Sequence, residues 1–359
     1  MRLKALLLAA LLLMMAGCTP MAPAAPVEPV EILPSAAPAT PTAAPTPAET
    51  VQPTAPPTPT PPPPLYKVRV SELNVRSTPS SEGTDNIVGK LAYEDTLYYL
   101  GEEEEFSRVR LMDGTEAYCF AEYIVPEDTV LYAYIPPETT QKVDIKTGNL
   151  VFEKDGVTPV MVKNELIDLK LRLPDAEYEQ LFNTENNVVG EPLYGKRTVF
   201  LAQKGMADKL MQAYDMFKAD GYTLKFYDAY RPLSAQKRLF DVVQNSSWIA
   251  DPSTTASNHN RGAAVDIALI DDATGEELAF PTPMHTFSKE AARTCTTWTE
   301  EQAANVDYMT NIMVECGFST IKSEWWHFSD TDSALYMTTD LNLDTVTMLP
   351  YDQLPENAR

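Results

Sequence analysis

Basic residues are in short supply. The 359-residue chain carries 28 Lys+Arg against 51 Asp+Glu, a net charge of −23. Binding nucleic-acid phosphate requires a positive footprint, so so acidic a chain is a poor general nucleic-acid binder and no nucleic-acid partner is expected; only a local basic patch stays open. Histidine is confined to His259, His285 and His327, and cysteine to Cys18, Cys119, Cys295 and Cys316. The cysteine spacing does not suit a cysteine zinc site. The apolar run from Ala5 to Gly17 is shorter than the roughly 20 residues of a bilayer span, which makes a transmembrane anchor the weaker reading.

That run follows Arg2 and Lys4, the pattern of an export signal. Its end, Met15-Ala16-Gly17-Cys18, resembles the lipobox of bacterial lipoproteins, although Leu is more usual where Met15 stands. The resemblance implies a signal peptide over residues 1–17, lipidation of Cys18 and anchoring at the outer face of the cytoplasmic membrane. An ordinary secretory signal that happens to hold a cysteine is the alternative. Proline is plentiful but local: 17 of the 30 prolines fall in residues 19–64, among Ala and Thr. Proline fixes φ and lacks a donor, so residues 18–64 are read as an extended, disordered spacer.

Residues 65–127 change character. Short β-prone runs such as Tyr66–Val70, Asp95–Leu100 and Glu116–Phe120 are separated by Gly, Asp, Ser or charge. Leu73-Asn-Val-Arg-Ser-Thr-Pro79 and the Asp113-Gly114 turn resemble a bacterial SH3-like domain. The resemblance implies a small all-β barrel and peptidoglycan as wall ligand; a plain spacer role stays open. Residues 128–163 read as a connector with a short strand, and residues 351–359 as a tail.

Residues 164–350 are enough for one real core. Helical spacing predicts helices over Met206–Asp220, Ser234–Val243 (with Ser234 as cap) and Glu301–Cys316. Strands are predicted at Leu224–Tyr227, Ala263–Ile270, Phe318–Ile321 and Trp325–Ser329. Helices and strands without strict βαβ alternation give an α+β class, taken here as a central antiparallel sheet with flanking helices.

The chemistry gathers in two segments, Ser257-Asn-His259-Asn-Arg-Gly262-Ala-Ala-Val-Asp266 and Glu324-Trp-Trp-His327. Asp266 interrupts an apolar run, where a carboxylate is expensive unless paired or bound to a cation. Two imidazoles and a carboxylate leave a fourth position open, the donor set of a catalytic zinc site. Glu324 would be the general base and Arg231 the group that meets the oxyanion. In a strand, Glu324 and His327 would face opposite sides, so a bend near Trp325-Trp326 is required. An isolated histidine is more often a surface or hydrogen-bonded residue, and paired tryptophans can be plain core; the spacing alone leaves both readings open.

The same segments resemble the zinc D-alanyl-D-alanine dipeptidases of the VanX type and the wider group of zinc DD-peptidases. Their Ser-x-His-x-x-Gly-x-Ala-x-Asp pattern is filled by Ser257, His259, Gly262, Ala264 and Asp266. Their Glu-x-x-His falls on Glu324 and His327, and their Tyr-Arg-Pro on Tyr230-Arg231-Pro232. Leu166–Leu169 and Thr184–Gly195 resemble further segments, so the likeness covers about 164–335. It implies a Zn2+ ion on His259, Asp266 and His327, Glu324 as base, Arg231 at the transition state, and Ser257 and Tyr194 as substrate contacts. It also implies hydrolysis of D-Ala-D-Ala or a related D-amino-acid-containing stem peptide of peptidoglycan. The alternatives are a wall-binding lipoprotein with a non-catalytic peptidase-like domain, and an exported structural protein.

Two departures stand out. His285 occupies the place of an Asp that, in the resembling enzymes, helps hold the substrate's amino group; it is read as a substrate contact, with a surface residue or a metal ligand as alternatives. Glu179-Gln-Leu-Phe182 lacks an arginine of the group's pattern. Export permits a disulfide, and Cys295–Cys316 is the pairing favoured, with Cys119 a buried apolar residue.

Overall fold

β-branched and aromatic runs broken by turns form the amino-terminal part of the computed structural model, which describes residues 61–359. Residues 1–17, Cys18 and most of the proline-rich spacer lie outside the described residues. Seven antiparallel strands lie side by side in the order Ile87–Ala92, Glu72–Arg76, Glu116–Phe120, Phe106–Arg110, Thr96–Glu103, Leu65–Val68, Ile124–Pro126. Val68, Leu73, Val75, Leu97, Val109, Ala117 and Cys119 form their core.

The expected barrel is not formed. The two outer strands, Ile87–Ala92 and Ile124–Pro126, each have one partner and do not meet, so the sheet stays open. The last strand is three residues long and ends at Pro126, which has no N–H to extend a ladder. At the other end, Glu72–Arg76 joins Glu116–Phe120 through the single pair Arg76–Tyr118.

The carboxy-terminal part is α+β, but its sheet is mixed rather than purely antiparallel. Glu177–Tyr178, Tyr222–Asp228, Ala264–Asp271, His327–Asp330 and Phe318–Thr320 are neighbours in that order, and the first pair runs parallel. A second sheet joins Leu201–Gln203, Met161–Asp168, Leu131–Gln141 and Met348–Pro350. The eleven-residue strand Leu131–Gln141 falls in the stretch read as connector, where Pro136-Pro137 breaks the sequence pattern. The structure accommodates the prolines as a register shift between Ile135 and Glu138.

Among the described residues there are three α-helices: α1 (Lys204–Ala219), α2 (Leu233–Val243) and α3 (Glu300–Glu315). Helix α1 buries Ala207, Leu210, Ala213 and Phe217, and α3 buries Val306, Met309, Ile312 and Met313, at three- and four-residue spacing. These stripes share one core with Leu224, Phe226, Val265, Ile267, Trp325 and Phe328. Thr299 and Gln302 close a capping box on α3. Ser234 is not the cap of α2; it lies in the first turn, where its N–H and hydroxyl both donate to Asp340. No described helix is long and apolar enough to cross a membrane. The expected Cys295–Cys316 disulfide is absent: both thiols are free, Cys295 beside Thr297 and Cys316 beside the sulfur of Met216.

Candidate metal centre

Strand register builds half of the site. Asp228, Asp266 and His327 are partners across three adjacent strands. Directly opposed residues point to the same face, so a row of polar side chains crosses an otherwise apolar sheet. Strand Ala264–Asp271 is buried along almost its whole length, and Asp266 is its one acid before the exposed end. His259 comes from the turn ahead of that strand. Ser257 opens this turn by accepting from the His259 N–H, and Asn260 returns a bond to the Ser257 N–H. Gly262 then reverses the chain at φ +62°; a Cβ there would lie 2.4 Å from Leu166 Cδ2, so only glycine fits.

Three ligand-type atoms converge. His259 Nε2 lies 3.1 Å from His327 Nδ1 and 3.3 Å from Asp266 Oδ1, and His327 Nδ1 lies 3.1 Å from Asp266 Oδ1. A tetrahedral zinc with bonds of ~2.0–2.1 Å holds its ligand atoms roughly 3.3 Å apart, so the spacing fits. The outer ring atom fixes the tautomer of His259. His259 Nδ1 lies 2.7 Å from the carbonyl of Ala229, which can only accept. Neutral His259 therefore carries its proton there and turns a bare Nε2 inward. His327 Nε2 is held by Ser329 Oγ at 2.9 Å, and Asn258 donates to that same hydroxyl. With Ser329 Oγ free to accept at Nε2, His327 can turn a bare Nδ1 toward the bare Nε2 of His259, and a shared cation would satisfy both.

Burial opposes the charge of Asp266, but the imidazoles of His259, His285 and His327 outweigh it and hold the carboxyl well below the usual range. Glu324 precedes the strand that starts at His327, so the required bend is present. Arg293 fixes it: the guanidinium donates to the carbonyls of Glu324 and Trp325 and to Thr310 on α3. Glu324 Oε2 lies 3.9 Å from His327 Nδ1. Burial first, and the Asp266 charge second, push its carboxyl up to about 8.

Arg231 reaches the same cavity, of about 210 Å³, whose wall also includes Ser257, His285 and Trp326. Asp228 grips its guanidinium at 2.9 and 2.7 Å, and Gln236 accepts from Nη1. Asp228 and Gln236 had no role in the sequence reading. The signal for Asp228 was the one used for Asp266, an acid closing an apolar strand. Tyr194 is buried behind Arg231 with its hydroxyl on Asp228 and does not line the cavity. His285, read as a substrate contact, places Nε2 2.9 Å from Asp266 Oδ2. Its ring stacks on Phe182 with centroids 4.7 Å apart.

Known proteins share these segments. Residues 162–345 match the family model "D-ala-D-ala dipeptidase", and residues 71–125 match "Bacterial SH3 domain". The D-alanyl-D-alanine dipeptidase of Escherichia coli (strain K12) is 30% identical over 172 residues, covering 48% of this chain and 88% of that protein. The enzyme of the same name from Enterococcus faecalis (strain ATCC 700802 / V583) is 23% identical over 189 residues, covering 48% of this chain and 94% of its own length. Among solved structures, the vancomycin-resistance D,D-pentapeptidase VanY with Zn(II) matches at 17% identity and a TM-score of 0.25, over 36% of this chain and 73% of that one, too distant to add to the argument.

Proposed function

Because the chain belongs to the D-Ala-D-Ala dipeptidase family, we propose that it hydrolyses a peptide bond in D-Ala-D-Ala or in a related D-amino-acid-containing stem peptide of peptidoglycan. The observation that carries this is the convergence of His259, Asp266 and His327 within 4.8 Å, with Glu324 facing the same cavity. His259 Nε2, Asp266 Oδ1 and His327 Nδ1 would hold Zn2+. Zinc, when bound, supplies Lewis acidity at that point. Glu324 takes a proton from the attacking water and returns it to the leaving amine. Its raised affinity for a proton suits it to both transfers. Arg231 offers a fixed positive charge to the oxyanion, and Asp228 and Gln236 hold it in place. Trp326 and Phe287 keep one wall of the cavity apolar.

The export pattern and Cys18 support a lipoprotein held at the outer face of the cytoplasmic membrane. The proline-rich spacer gives the folded part reach into the wall, and the SH3-like segment supports wall binding. The test is direct. Zinc-loaded chain is incubated with free D-Ala-D-Ala and with defined stem peptides, and products are identified by mass. Release of D-Ala or of a shortened stem that depends on Glu324 supports the reading. Zinc-loaded protein that cleaves none of these peptides overturns it, and leaves the non-catalytic wall binder.

A further inference from the structure

A second cavity, about 570 Å³, adjoins the metal cavity: Trp248, His285 and Phe287 line both. The loop Glu185–Val188, the end of α2 at Val242 and Val243, and the segment Pro283–Phe287 form its wall. The two non-helical pieces are tied down. The Asn187 carboxamide donates to the carbonyls of Thr184 and Glu191 and accepts from the N–H groups of Val189 and Gly190. His285 holds the other piece through Asp266 and Phe182. Val188 and Val242 are each 42% exposed, so apolar surface there is open to a ligand. No Lys or Arg lines this cavity, and Glu185, its one carboxylate, is exposed.

The charges of the metal cavity decide what can enter it. In a free dipeptide the carbonyl to be attacked lies two bonds from the terminal ammonium, so that charge must enter as well. Asp266 and Glu324 are the only carboxylates among the lining residues. Asp266 turns one oxygen to His259 and His327 and the other to His285, and Glu324 is the carboxylate proposed to carry the proton. Asp228 is fully buried and spent on Arg231 and Tyr194. Arg231 adds a positive charge to the same wall. A buried ammonium with no carboxylate of its own is costly, whereas an amide nitrogen brings no charge. Trp248, half-buried at the shared wall, donates its indole N–H to no described residue, while Trp298 and Trp325 spend theirs on Glu290 and Thr282. It is a free donor for a peptide carbonyl.

Resting on the peptidase reading, we propose that the centre takes an N-acylated peptide in preference to a free dipeptide. The terminal pair lies in the metal cavity, and the side chain of the residue before it lies in the second cavity, against Val188, Val242 and Met284. A long aliphatic side chain covers that apolar wall, and an ammonium at its tip can stay in water beside Glu185. A carboxylate at the same place finds no cation.

The test uses the full chain and four probes: acetyl-Lys-D-Ala-D-Ala, its Gly and Glu counterparts, and D-Ala-D-Ala. Affinity is read by titration calorimetry on zinc-loaded Glu324→Gln, and hydrolysis on the wild type. We expect the Lys peptide to bind roughly tenfold or more tighter than the Gly peptide, the free dipeptide to bind weakest, and kcat/KM to follow the same order. With Val188→Lys and Val242→Lys added, the preference for Lys over Gly should fall by roughly fivefold or more, with the unfolding midpoint checked alongside. Free dipeptide bound and cut as well as the Lys peptide overturns the proposal and leaves the hydrolytic reading intact. Equal affinity for the Lys and Gly peptides, preference for the Glu peptide, or a preference unchanged in the folded double-lysine variant also overturns it. The peptide series decides the matter even if that variant does not fold. No cleavage of any probe, with the order of affinities kept, overturns the hydrolytic reading alone.

Discussion

His285 Nε2 lies 2.9 Å from Asp266 Oδ2, while Oδ1 of the same carboxylate faces His259 and His327. One oxygen is thus turned to the ion site and the other is held from behind. His285 adopts φ +56°, a left-handed conformation that costs on the order of 1–3 kcal/mol for such a residue. Stacking on Phe182 and the bond to Asp266 hold it there. A histidine in this place holds the Asp266 carboxylate from behind and also lines the cavity.

His285→Ala should therefore weaken zinc binding by roughly 10–100-fold, the usual effect of losing an outer partner of a metal ligand. His285→Gln, which can still donate an N–H, should recover part of it. Competition with a chromogenic chelator reads the affinity without reference to turnover. Unchanged affinity in His285→Ala would remove the positioning role.

Glu324→Gln keeps the shape of the base and loses its proton chemistry. Zinc affinity should stay within a few-fold of wild type, while kcat for stem-peptide hydrolysis falls by about 10²–10⁴-fold. Equal loss of both properties would make Glu324 a support of the metal rather than the base.

Gly262→Ala places a methyl group against Leu166 and the Ala202–Gln203 backbone at positive φ. A loss of about 1–3 kcal/mol in urea unfolding is expected. Because this turn aims His259, zinc affinity should fall with it. An unchanged variant would show that the turn relaxes freely.

Asp168 gives a pH signature remote from the candidate metal centre. Burial pushes its carboxyl up to about 6 from the ordinary 3.8, against opposing help from Lys170. The folded state then holds a proton that the unfolded chain has released, so this contribution is complete below about pH 4 and is lost as pH rises through about 6. Asp168→Asn has no such proton. Relative to that variant, wild type should lose roughly 2–3 kcal/mol between pH 4 and pH 7, at about 1.4 kcal/mol per unit. Parallel pH profiles of urea stability for the two proteins would contradict it.

The thiols offer a simple check on connectivity. Cys295 is partly exposed, whereas Cys119 and Cys316 are buried, and burial raises the Cys119 thiol to about 12. Native protein should show Cys295 reacting quickly with an aromatic disulfide reagent and the other two only after unfolding. A Cys295 that reacts only after reduction would restore the disulfide.

The convergence of His259, Asp266 and His327 was legible because these residue types have few other uses in such a setting. A carboxylate within an apolar strand and two of only three histidines narrow the choices before any fold is known. Helices α1 and α3 were legible from their apolar stripes. What the sequence hid depends on long-range partners. Whether the seven-stranded sheet closes is settled at its edges, where Pro126 ends the ladder. The role of Ser234 in the first turn of α2 turns on Asp340, 106 residues beyond it. The orientation of His285 depends on Phe182 and Asp266, neither of them near it in the chain. Strand Leu131–Gln141 was obscured by two prolines that a bulge absorbs.

Arg293 joins the backbone around Glu324 to Thr310 in the middle of α3. The helix thereby acts as a gauge block for the carboxylate proposed to carry the proton. Shaving its inward packing by a methylene should retune the reach of that carboxylate while leaving His259, Asp266 and His327 undisturbed. The placement of Glu324 is thereby set from the buried side of α3, none of whose residues lines the cavity.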